Sequence, residues 1–118
     1  MHGFPHPSKT IISLKRILEL LHVDLFGAVP EASLGGKKYC LVIVDDYSSF
    51  TWVYFFKCKS ETQQAVIDFS TQVQRQHNLT ILVIRSDNGS EFKNYTLNGF
   101  LSDEGIHHQY STALNKMV

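Results

Sequence analysis

"TILVIRSD", residues 80–87, is the stretch on which the fold turns. Its apolar run Ile81–Leu82–Val83–Ile84 is too short for an ordinary helix and ends on a charged residue. A continuous run of this kind is expected for a strand buried on both faces, the pattern of parallel pairing. A parallel neighbour is reached through a crossover, ordinarily a helix. The preceding residues supply one: Ser60 with Gln63 reads as a capping box, and Val66, Phe69 and Val73 follow at helical spacing up to His77. Further upstream, "LELLHVDLFG" (18–27), "YCLVIVDD" (39–46) and "FTWVYFFKC" (50–58) read as strands separated by turn-forming stretches, and an antiparallel meander joins them most simply. Downstream, a second helix is expected from about Glu91 to Asp103, stopped by Gly105, with "IHHQY" (106–110) as a last strand. The expected class is α/β: a mixed five-stranded sheet with flanking helices. Residues 1–16 read as a loose lead-in and 17–118 as one domain.

Composition narrows the function classes. Apolar residues make up 43% and charged residues 19% of 118 residues, which describes a globular chain. Eleven basic residues balance eleven acidic ones, so contact with nucleic acid would depend on a local patch such as Lys37, Lys38, Lys57, Lys59, Arg85 and Lys93. No apolar run reaches membrane-spanning length, and "MHGFPHPSKT" lacks the apolar centre of a secretory signal, so an intracellular, reducing setting is expected. In that setting Cys40 and Cys58 are reduced packing residues, and the sequons at Asn78, Asn88 and Asn94 are chance matches.

The carboxylates carry the chemistry. If "TILVIRSD" lies parallel to "LLHVDLFG", Asp24 and Asp87 meet near the carboxyl ends of neighbouring strands, the edge where open α/β sheets bind ligands. Two such carboxylates repel unless a cation lies between them or one takes a proton. Mg²⁺ suits the pair because it prefers hard oxygen ligands, and a pair of such ions can drive phosphodiester chemistry. The rival is "IVDDYS": an acidic pair after an apolar strand also fits a phosphoacceptor pocket, but there a helix should follow, and here "FTWVYFF" follows. Asp45 and Asp46 therefore read as turn residues. His22 lies on the Asp24 face of its strand and reads as structural or as a neighbour of the site. Asn88 and Gly89 form the turn that aims Asp87, and Glu91 favours a helix N-terminus. His107 and His108 point to opposite sides of a strand and make a poor two-ligand site.

The blocks "LLHVDLFG", "SLGGKKYCLVIVDDYSSFTWVYFFKCKSE" and "IRSDNGSEFKN", in this order and spacing, resemble the integrase catalytic core of Ty1/copia-type retrotransposon polyproteins, particularly plant ones. The resemblance covers roughly residues 17–110. It implies a ribonuclease-H-like fold, DNA integration by Mg²⁺- or Mn²⁺-dependent phosphodiester cleavage and strand transfer, DNA as partner, a nuclear site of action and a possible homo-oligomer. It makes Asp24 the first catalytic, metal-binding carboxylate and Asp87 the second.

The chain also departs from that pattern. The family's third carboxylate is a glutamate some three dozen residues beyond the second aspartate, and 31 residues follow Asp87 here. "STALNKMV" stands where relatives continue with a Pro-Gln-x-x-Gly-type loop, and the upstream Cys/His zinc segment has no counterpart. The expectation is a fragment that leaves an apolar face exposed and is inactive or weakly active alone. Its alternative is a catalytically dead module that binds nucleic acid or protein; a ribonuclease-H-type nuclease is a third class.

Overall fold

The computed structural model describes residues 14–28 and 35–111. Expectations for residues 1–13, 29–34 and 112–118 lie outside them. β-Branched and aromatic residues alternate their side chains across three consecutive strands, β1 (Leu20–Phe26), β2 (Tyr39–Asp45) and β3 (Thr51–Phe56), which form the expected antiparallel meander. α1 (Thr62–His77) then carries the chain across to β4 (Val83–Ser86), parallel to β1, and α2 (Tyr95–Asp103) leads to β5 (His107–Tyr110), parallel to β4. The sheet order is β3-β2-β1-β4-β5, the mixed five-stranded α/β arrangement of a ribonuclease-H-like core.

One consequence of this order governs the rest of the molecule. β3, β1 and β4 all run the same way, and both helical crossovers step in the same direction along the sheet. Right-handed crossovers in a common direction put both helices on one face. There Leu21, Val23, Leu41, Ile43, Phe56 and Ile84 meet Val66, Phe69 and Val73 of α1 and Leu97 and Leu101 of α2. Phe69 is set edge-on to Trp52, with ring centroids 4.9 Å apart. Phe92 is buried just before α2, and a side chain of this kind contributes about 1.5–3 kcal/mol on full burial.

The opposite face carries the alternate residues. Phe26, Val53 and Phe55 stay exposed there at 53%, 45% and 46%. β4 accordingly differs from the sequence expectation: Ile84 and Ser86 are buried, but Val83 and Arg85 on the other face are half-buried and Leu82 before them is exposed. An apolar run marks two-sided burial only where layers cover both sides, and the described helices cover one.

The helix ends also differ in detail. α1 follows a 3₁₀ turn at Lys59–Glu61, and the Cys58 amide donates to Glu61 Oε2 at 3.0 Å. Ser60 and Gln63 do not form the expected box; Gln63 Nε2 reaches across to the Glu91 carbonyl at 2.8 Å. α2 starts at Tyr95 rather than near Glu91, because Asn94 Oδ1 caps the Leu97 amide at 3.0 Å. Gly105, at φ +74°, ends α2 as expected, its left-handed backbone returning the Ile106 amide to the Leu101 carbonyl.

Candidate active site

The β1–β4 ladder pairs Leu20 with Val83, Leu21 with Ile84 and His22 with Arg85. Counted on by two residues, the same register sets Asp24 level with Asp87, immediately past the end of β4. Alternation from the buried positions Leu21, Val23, Ile84 and Ser86 assigns both aspartates to the face that α1 and α2 leave uncovered. Both are half-buried, and neither belongs to the apolar core.

Asp87 is held by local geometry. Its Oδ1 accepts the Gly89 amide at 2.8 Å, the turn anticipated from "DNG". A methyl group on Gly89 would lie 2.9 Å from that oxygen and 2.3 Å from Glu91 Oε2, so glycine is what lets these two carboxylates close over the turn. Glu91, whose side chain is 11% exposed, lies 3.4 Å from Lys59 Nζ. Carboxylate oxygens on adjacent strand ends are the hard donors that Mg²⁺ or Mn²⁺ takes. Among the described residues no group of three His, Cys, Asp or Glu side chains is arranged to hold a metal ion.

The rival acidic pair has other work. Asp45, 1% exposed on the helix-covered face, accepts the Leu18 amide at 2.7 Å through Oδ1, and the Ser48 amide and hydroxyl at 2.8 and 2.7 Å through Oδ2. It fastens the entry to β1, where Leu18 has φ +67°, to the β2–β3 turn. Asp46 Oδ1 meets His22 Nε2 at 2.8 Å, so the histidine of the Asp24 face is tied to that same turn. The spacing Asp45–Ser48 is a recognisable turn signal; the Leu18 and His22 partners are 27 and 24 residues away and leave no mark in the sequence.

The candidate cations divide. Lys59 faces Glu91, Lys93 lies over the Tyr110 ring at 5.5 Å, and Arg85 Nε donates to Gln109 Oε1 at 2.8 Å. Lys37, Lys38 and Lys57 are exposed. His107 is exposed and His108 half-buried on the helix side, as their adjacency implied. His108 enters a network that sequence reading did not find: Nε2 lies 2.8 Å from Ser86 Oγ and Nδ1 2.9 Å from Asn98 Oδ1. Burial, and then the neighbouring His107, hold its pKa below the ordinary histidine value of 6.5.

Of the three sequon asparagines, Asn78 closes α1 in the left-handed conformation and Asn94 caps α2. Cys40 and Cys58 are both thiols; burial raises the pKa of Cys40. Among the described residues no helix is long and apolar enough to cross a membrane.

Residues 15–116 match the family model described as the integrase core domain. The chain is similar to the Retrovirus-related Pol polyprotein from transposon TNT 1-94 of Nicotiana tabacum, 34% identical over 93 residues, which is 79% of this chain and 7% of that protein. It is also similar to the Retrovirus-related Pol polyprotein from transposon RE2 of Arabidopsis thaliana, 34% identical over 107 residues (91% of this chain, 7% of that protein). The Transposon Ty1-NL2 Gag-Pol polyprotein of Saccharomyces cerevisiae is 33% identical over 98 residues, 80% of this chain and 6% of its own length. The chain thus spans under a tenth of the length of the curated relatives it matches.

Proposed function

This chain belongs to the integrase core domain family, and from that premise we propose that it is the part of a retrotransposon polyprotein that binds DNA and carries two carboxylates for metal-dependent cleavage and strand transfer. The observation that carries the reading is the parallel β1–β4 register, which brings Asp24 level with Asp87. Both are the proposed catalytic residues and the proposed ligands of Mg²⁺ or Mn²⁺. Held by these two carboxylates, such an ion would supply activation of a water or a 3′-hydroxyl and stabilisation of the leaving oxygen of the phosphodiester. The chain's own part is positional. The β1 ladder holds the backbone of Asp24, and the Gly89 amide fixes the rotation of the Asp87 carboxyl. Exposed Lys37, Lys38 and Lys57 supply phosphate contacts, and the place of action is the nucleus, where the target DNA is.

The test is an assay of the purified chain with Mn²⁺, a DNA duplex ending in the element's terminal sequence, and a target duplex. Cleavage or end-joining that Asp24→Asn and Asp87→Asn both abolish, with DNA binding retained, supports the reading. DNA binding without metal-dependent turnover would assign the chain to the binding-module class. Cutting of RNA–DNA hybrids without joining would make it a nuclease.

A further inference from the structure

We infer that His108 is a positioning residue for Asp87, acting through the Ser86 hydroxyl; this rests on the reading of Asp87 as a metal ligand. Ser86 is the last residue of β4, and its pairing with Tyr110 is the last rung of the β4–β5 ladder. Asp87 follows directly, outside the regular strand. Whatever fixes Ser86 therefore fixes the backbone from which Asp87 departs.

The hydrogen bonds around Ser86 favour one tautomer of the imidazole. Tyr110 Oη donates to the Phe92 carbonyl at 3.2 Å and accepts from Asn98 Nδ2 at 3.3 Å. Tyr110 Oη also lies 3.5 Å from Asn98 Oδ1, and that oxygen is 2.9 Å from His108 Nδ1. A carbonyl oxygen only accepts, so Nδ1 carries the hydrogen and Nε2 keeps a lone pair. The Ser86 hydroxyl, on a residue 2% exposed, lies 2.8 Å from that nitrogen and 3.2 Å from the Asp87 carbonyl, so its one hydrogen is shared between two acceptors. From the other side, Ser111 donates its amide and its hydroxyl to the Ser86 carbonyl at 2.7 and 3.2 Å. The His108 ring is itself held against Tyr110, centroids 4.3 Å apart. Burial and the adjacent His107 favour the neutral imidazole that this arrangement needs. The strand end before Asp87 is thereby tied to α2 and β5 through one side chain that both donates and accepts.

Two isosteric substitutions separate the roles of the two ring nitrogens. His108→Gln places an amide oxygen near the Nε2 position, where it can accept from Ser86; His108→Asn keeps the Nδ1 contact with Asn98 and loses the Ser86 one. Mn²⁺ affinity of the full chain, followed by titration, should fall about five- to tenfold in His108→Asn, the worth of one net hydrogen bond, and stay within about twofold in His108→Gln. Val73→Ala, a core truncation in α1 away from the site, serves as a stability-matched control and should leave Mn²⁺ affinity unchanged. Equal losses in the Gln and Asn variants, or the same loss in Val73→Ala, would overturn the inference. If Asp87→Asn leaves Mn²⁺ binding intact, the metal reading fails, and amide hydrogen exchange at Asn88 and Gly89 in metal-free protein decides the positioning role. Faster exchange in His108→Asn than in His108→Gln supports it, and equal rates refute it.

Discussion

Replacing Asp45 by alanine should cost far more stability than replacing its neighbour Asp46, although the two read alike in the sequence. Asp45 is 1% exposed and accepts three hydrogen bonds of 2.7–2.8 Å. Bonds to a charged group contribute about 1.5–3 kcal/mol each, but water replaces part of the two at exposed Ser48. The Leu18 amide has no such substitute, and a buried donor left unsatisfied costs about 1–3 kcal/mol. The expected loss for Asp45→Ala is therefore about 3–5 kcal/mol, a large part of the stability of an ordinary domain. At this chain length it corresponds to a drop in Tm of about 10–20 °C. Asp46→Ala breaks a contact to a His22 side chain that is 37% exposed, a partner that water can replace in part, and should cost less than Asp45→Ala. Urea unfolding of both variants beside the unsubstituted chain, with the m-value checked for constancy, measures the difference. A loss below about 1 kcal/mol for Asp45→Ala would refute the assignment of Asp45 as a structural anchor. So would normal stability with loss of a Mn²⁺-dependent rise in Tm, because Asp45 would then belong to the site.

Other substitutions test the elements around the site. Gly89→Ala should weaken Mn²⁺ binding in a titration, since the added methyl group meets Asp87 Oδ1 at 2.9 Å and Glu91 Oε2 at 2.3 Å, while the Tm moves little because side-chain ends can give way. Asn94→Ala removes the α2 cap and should cost about 1 kcal/mol in urea unfolding. The pH dependence of stability should show His108: its folded pKa lies below the unfolded value of 6.5, so the unfolded chain takes up the proton first. Its contribution is complete above pH 6.5 and is lost as the pH falls from there through the folded pKa; His108→Gln should remove that part of the slope. A slope equal in both proteins would contradict the half-buried, neutral imidazole.

The order of strands and helices was legible because each element carries a local signal. The aromatic and β-branched run Thr51–Phe56, the spacing Val66–Phe69–Val73 and Gly105 act within a few residues of themselves. Asp24 and Asp87 could be paired on paper because a helical crossover makes the strands parallel, and a parallel register runs from residue to residue without gaps. What the sequence could not settle depends on which surface meets which. The apolar run at 81–84 promises two buried faces, yet both crossovers step in the same direction and cover one. "DD" at 45–46 looks like one feature, but successive residues of a strand end face opposite ways: Asp45 reaches Leu18 on the helix side and Asp46 reaches His22 on the other. His108 offered no motif, because its partners Ser86 and Asn98 come from a different strand and a helix. Local backbone preferences and periodicity are written in adjacent residues and survive reading in one dimension. Hydrogen bonds between side chains brought together by packing exist only after the chain has closed, and tertiary structure alone decided them.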